Sequence, residues 1–202
     1  IGTDEDLALR LASSAEMIIN DRQATWGIPL YDDLINAIKR KNGRAVGLDE
    51  PNTTHVDSIK IDGTTNNDGW LIRLYPNGGA ETEGAMTSAY IVMHGDVPEG
   101  VHTRLAVVSV EAPSKYHSVN HESLTVNVSQ TWAFTKERRV IGWRDFLPHS
   151  HLFAYLVNGA LNVKVRIRWV DLSWYEWAHY EANLKASKRS DLSTPAHVEA
   201  LA

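Results

Sequence analysis

Trp70, Ile72 and Leu74 alternate with Leu71, Arg73 and Tyr75 in the segment Gly69–Gly78, the period of a strand with one face buried. Pro76-Asn77-Gly78-Gly79 then ends the run, because proline lacks an amide donor and Asn and Gly tolerate positive φ. Trp70 reads as a core anchor, since a tryptophan on an inner strand face buries much apolar area. Short runs of the same kind are Ser58–Asp62, Ser88–Met93, Arg104–Val110 (Leu105, Val107 and Ser109 on one face), Leu124–Ser129 continuing to Trp132 and Phe134, Val140–Leu147 and Ala160–Trp169. Turn formers separate them, as in Gly95–Gly100. Short strands without intervening helices predict a mainly β, antiparallel sandwich.

The two ends read differently. Residues 1–44 fit helices: Asp4 can cap a run carrying Leu7, Leu11, Ala15 and Ile18, Asp21–Gly27 interrupts, and a second helix opens at Pro29 or Tyr31 and closes in Lys39-Arg40-Lys41-Asn42-Gly43. Residues 45–57 are a polar linker, and the aromatic stretch Leu172–Leu184, with Trp174, Tyr175, Trp177 and Tyr180, reads as a helix before a frayed end. The expected organisation is a helical arm and linker over 1–55, a sandwich over 56–170 and an aromatic helical tail over 171–202.

Composition narrows the function. A chain of 202 residues with a formal net charge of −5 has no basic surface of the kind an obligate nucleic-acid partner demands; the local patch Lys136-Glu137-Arg138-Arg139 reads as a solvated turn. There is no cysteine, which removes disulfides, thiol nucleophiles and thiolate metal sites. No apolar run reaches the roughly 20 residues of a membrane span. The chain begins at Ile1, which reads as a processed or trimmed chain with any targeting peptide out of view. A cytoplasmic location is expected, with an organellar one after removal of a targeting peptide as the alternative. Asn52-Thr53-Thr54 and Asn127-Val128-Ser129 match the glycosylation sequon, which matters only in a secreted protein.

Three landmarks together resemble the MATH domain, also called the TRAF-C or TRAF-like domain, over about residues 56–170. Gly69–Gly78 is similar to the family's W-x-I-x-x-Y-P-x-G strand, and Ser88-Ala89-Tyr90-Ile91-Val92 stands in the place of Y-L-S-L-Y-L. Trp132-Ala133-Phe134, Gly142–Leu147 and Tyr155–Leu161 look like W-G-F-x-x-F-[IL] followed by G-[YF]-L-V-N-D-x-L. The family's first strand, F-x-W-x-I-x-x-F, is not visible before Ser58, so it is either divergent or supplied by the aromatic tail or a partner. The first aromatic of W-G-F is also replaced, by Ile141. The resemblance implies a seven- to eight-stranded antiparallel β-sandwich that binds an extended peptide along one sheet edge, with Tyr90, Leu105, Trp132, Ile141 and Trp143 lining the groove by position.

Candidate chemistry is sparse. His117 with His121, and His149 with His151, are the spacings closest to a zinc pattern, but neither adjoins a carboxylate pattern and loop histidines are the simpler reading. No H-E-x-x-H, phosphate-binding glycine loop, G-x-S-x-G or dinucleotide fingerprint occurs. No catalytic residue, metal or cofactor is therefore expected. The expected function is a non-enzymatic protein–protein interaction module that binds an extended segment of a partner or adaptor and can form homo-oligomers. The alternative is a structural accessory subunit of a large assembly, its arm and tail docked on neighbours; a carbohydrate-binding sandwich with exposed tryptophans is a third reading.

Overall fold

In the computed structural model, which describes residues 19–42, 55–65, 67–78, 85–116 and 125–192, the chain forms two packed antiparallel sheets. The elements in order are β1 (Asn20–Ile28), α1 (Tyr31–Asn42), β2 (Val56–Asp57), β3 (Ile61–Asp62), β4 (Asp68–Tyr75), β5 (Met86–Gly95), β6 (Thr103–Ala112), β7 (Val126–Phe134) and β8 (Val140–Pro148). A 3-10 turn (His149–Ala154), β9 (Leu156–Val157), β10 (Ala160–Leu172) and α2 (Trp174–Leu192) complete the fold. One sheet has the order β1-β10-β6-β7, with β9 also on β10; the other has β2-β4-β5-β8, with β3 also on β4.

Residues paired directly across an antiparallel ladder point to the same face, so the registers locate the core. Trp70, Ile72 and Leu74 of β4 lie opposite Met93, Ile91 and Ala89 of β5, and all six are buried. From the other sheet come Leu161, Val163, Val165, Ile167 and Trp169 of β10, with Ala106, Val108 and Val110 of β6. Trp70 meets Phe134 edge-on at 4.9 Å between ring centroids and Trp169 at 5.6 Å. Trp70 is thus the core anchor its pattern predicted. Burying one such aromatic side chain removes roughly 150–250 Å² from water, worth several kcal/mol.

Three expectations need correction. The helical reading of 1–44 fails over Asn20–Ile28, which is a strand paired with β10 along its whole length. Ala24, Trp26 and Ile28 face the core and alternate with Gln23, Thr25 and Gly27, a period of two that the interruption in the helical pattern concealed. The sandwich therefore starts before residue 56, and its first strand comes from this chain rather than from the tail or a partner. The helix predicted to follow is present as α1, with Asp32 and Asp33 in its first turn, where negative charge suits the exposed amides; the helix expected before Asp21 lies outside the described residues up to Ile18.

The second correction concerns Ser58–Asp62, expected as one alternating strand. Only its last two residues form a strand, β3, paired with β4 at Gly69–Trp70; β2 lies just before it and pairs with β4 at Arg73–Leu74. Between them Ser58 doubles back on Ile72: its N–H donates to the Ile72 carbonyl and its hydroxyl oxygen accepts the Ile72 N–H, both at 2.9 Å. This extra excursion breaks the alternation and leaves Ile59 84% exposed. Val56–Asp57, placed in the linker, belongs to the sheet; residues 45–54 lie outside those described.

The third is Leu105, expected by resemblance in the groove. Leu105 and Val107 do share a face, but it is the outer one, where with Val170 and Leu172 they are covered by Trp177, Tyr180 and Leu184 of α2. The aromatic tail is a helix, as predicted. A capping box starts it: the Glu176 carboxylate accepts the Ser173 N–H (2.7 Å) and hydroxyl (2.6 Å).

Candidate functional site

β7 and β8 are the edge strands of the two sheets on the same side of the sandwich, joined by the turn Thr135–Arg139. The Thr135 hydroxyl oxygen accepts the amides of Glu137 (3.2 Å) and Arg138 (3.1 Å), while Arg139 Nη1 donates to the Gly95 carbonyl at 2.7 Å. The run Lys136–Arg139 is accordingly a built turn, as its pattern suggested.

The five groove residues do not share one surface. Trp132 on β7 is opposite Ala106, and Ile141 and Trp143 on β8 are opposite Ile91 and Ala89; all three point between the sheets. Ile141 is buried, whereas Trp132 and Trp143 are half-buried against the core. Tyr90 lies on the outer face of its sheet, opposite Gly142, with Tyr75 edge-on at 5.4 Å. Leu105 is on the far side of the molecule under α2. The structure therefore gathers Trp132, Ile141 and Trp143 at the β7–β8 side, sets Tyr90 next to them across the β8 backbone, and excludes Leu105. Sequence parity could not separate the two faces of β6, because both are apolar.

Gly142 fixes how Tyr90 sits. A Cβ at this position would come 2.1 Å from the Tyr90 ring and 2.6 Å from the Ala89 carbonyl oxygen, so the ring rests directly on the glycine backbone. Burial raises the Tyr90 hydroxyl pKa above the ordinary phenol value, with Tyr75 and Asp145 adding to the shift. The indole Nε1 of Trp132 is buried and has no hydrogen-bond partner among the described residues.

Sequence reading missed a buried ion cluster at one end of the sandwich. Arg104, 1% exposed, grips Asp171 of its own sheet through Nε (2.6 Å) and Nη2 (3.1 Å) and Asp68 of the other sheet through Nη1 (2.7 Å). Nη2 also donates to the Thr64 hydroxyl at 2.8 Å. The guanidinium lies 5.5 Å from both the Trp70 and Trp169 rings. Burial pushes the Asp68 carboxyl up, but hydrogen bonds from the Thr65 hydroxyl and amide, Arg104 and the Thr64 amide outweigh it and hold its pKa at about 2. The available signal was a lone arginine in an apolar strand, which demands partners.

Among the described residues the histidines do not converge. His149 is half-buried and donates through Nε2 to the Pro76 carbonyl at 2.8 Å; a carbonyl only accepts, which fixes the tautomer. His151 is exposed, and His117 and His121 lie outside the described residues. No group of three or more potential ligands that could hold a metal occurs among the described residues. Of the two sequons, Asn127–Ser129 lies on β7 with the Ser129 hydroxyl 3.0 Å from that of Ser109, and Asn52 falls outside the described residues. Among the described residues no helix is long and apolar enough to cross a membrane.

No protein-family model matches the sequence, and no curated protein matches it either. Among solved structures, the chain is similar to one titled Notothenia coriiceps TRAF5, at 16% identity over 75% of each chain and a TM-score of 0.47.

Proposed function

We propose that this chain is a non-enzymatic protein-interaction module that binds an extended segment of a partner along the β7–β8 side of the sandwich. The observation that carries the reading is the pair Trp132 and Trp143: two tryptophans on adjoining edge strands, both pointing between the sheets and both only half-buried. An added strand uses the edge for backbone hydrogen bonds, and its alternate side chains reach the apolar surface beside it. Tyr90, resting on Gly142, lies on the other face of the β8 edge. The motif resemblance of Trp70–Gly78 and Gly142–Leu147 to the TRAF-like family points the same way; Leu105 has no part in it.

The test is a selection of peptides from a random display library on the full chain, followed by titration calorimetry. Selected peptides should lose about tenfold or more in affinity on Trp143→Ala. They should also weaken on Trp132→Phe, which shrinks the bicyclic indole to a single ring and removes its N–H. A selection that returns no peptide, or peptides indifferent to both changes, contradicts the proposal.

The assembly-subunit reading is favoured by one separate observation. Helix α2 buries Trp177, Tyr180 and Leu184 on the sandwich yet leaves Trp174 and Tyr175 66% and 74% exposed. A helix apolar on two sides is usually covered on both.

A further inference from the structure

We infer that the opposite side of the sandwich, between β1 and β3, is a second strand-addition site, taking an extended peptide with an apolar residue opposite Ala24 and an acidic residue opposite Arg22. β1 and β7 are the two ends of the same sheet, so this site is separate from the β7–β8 side. Along Asn20–Ile28, β1 pairs with β10, and among the described residues no strand pairs with its other edge. A cleft of about 280 Å³ is lined on one wall by the consecutive residues Arg22–Trp26. Alternate side chains of a strand leave to opposite faces; five consecutive residues line one cavity because they present the strand's backbone edge. The other wall is the interrupted strand Ser58–Asp62 with Ile72, where the excursion at Ser58 turns Ile59 out.

The chemistry of the cleft selects the peptide. Arg22, Ala24 and Trp26 pair with the core residues Ile167, Val165 and Val163, so they share the face that points between the sheets. Ala24 is the smallest of the three, and the space beside it is closed by Ile61 and Ile72; an apolar side chain opposite Ala24 enters that space. Arg22 makes one polar contact, from Nη1 to the Asp21 carbonyl at 3.0 Å, and lies 5.9 Å from the Trp169 ring. The nearby Asp21 carboxylate is held by Arg166 at 2.6 Å. Among the described residues no carboxylate lies within ion-pair distance of the Arg22 guanidinium, which Asp21 reaches only through its longer-range field, and an acidic side chain on the added strand supplies one. Since residues on one face of a strand are two apart, the pattern is acidic–x–apolar, in either chain direction.

The experiment is fluorescence anisotropy on the full chain with a labelled short peptide of threonines carrying a central isoleucine and a glutamate two residues to each side. Saturable binding is expected, weakened about tenfold or more when the isoleucine becomes serine and when Ala24→Leu fills the cleft. Arg22→Glu is expected to lose the glutamate peptide and bind its lysine counterpart, a reversal that a structural defect would not produce, while Trp143→Ala leaves binding unchanged. The inference is overturned by an absence of saturable binding, which would mean that the edge is already covered. It is equally overturned by affinity that ignores both Ala24→Leu and Arg22→Glu, or by binding that disappears in Trp143→Ala.

Discussion

Arg104 sits between the rings of Trp70 and Trp169, with carboxylates from both sheets on its guanidinium. Such a cluster adds little net stability over a well-packed apolar core, but removing one member leaves buried charge without compensation. Arg104→Ala should therefore cost about 3–5 kcal/mol in urea denaturation, whereas an exposed pair such as Lys164–Glu111 should contribute well under about 1 kcal/mol. Asp68 makes the cluster sensitive to acid. Its pKa is lowered from 3.8 to about 2, so its stabilisation is complete above the ordinary carboxylate range and is lost as the pH falls through about 2. Asp68→Asn should remove about 2 kcal/mol of the acid dependence across that window, read as the difference between the two stability–pH curves. At Gly142, substitution by alanine should cost about 1–3 kcal/mol, and Tyr90→Ala in the same chain should recover part of it. The Ala89 carbonyl, also within reach of the added Cβ, limits that recovery.

At the scale of elements, β1 and α2 decide what the sandwich is. β1 contributes Ala24, Trp26 and Ile28 to the inner face and covers the edge of β10. A chain starting at residue 56 should fail to melt cooperatively, whereas one spanning 19–192 should do so in a thermal scan. On the other face, Tyr180→Ala should cost about 2–4 kcal/mol and expose Leu105 and Val170, seen as binding of a hydrophobic dye. Strands with one polar face were legible from sequence: β4, β7 and β10 follow alternation that the core enforces. β1 was not, because Asp21-Arg22-Gln23 carries charge on both faces at the edge and hides the Ala24–Trp26–Ile28 stripe. Nor was the break at Ser58, since a hydroxyl replacing a ladder contact leaves no mark on hydrophobic periodicity. In the candidate site, Trp132 and Trp143 were legible as aromatics on edge strands. The misplaced Leu105 came from a strand apolar on both faces, whose parity only the helix α2 explains.

Among the described residues, an aromatic core and a buried ion cluster join the two sheets, and edge strands lie on both sides, β7–β8 opposite β1–β3. The central proposal for that arrangement is that an extended segment of a partner adds along β7–β8. The most direct measurement is amide chemical-shift mapping by NMR of the full chain with a library-selected peptide. The account predicts perturbations concentrated on Val126–Phe134 and Val140–Pro148, together with the indole N–H signals of Trp132 and Trp143. Perturbations confined to the face of α2 around Trp174 and Tyr175, with β7 and β8 unmoved, would contradict it and favour a subunit docked through its helix.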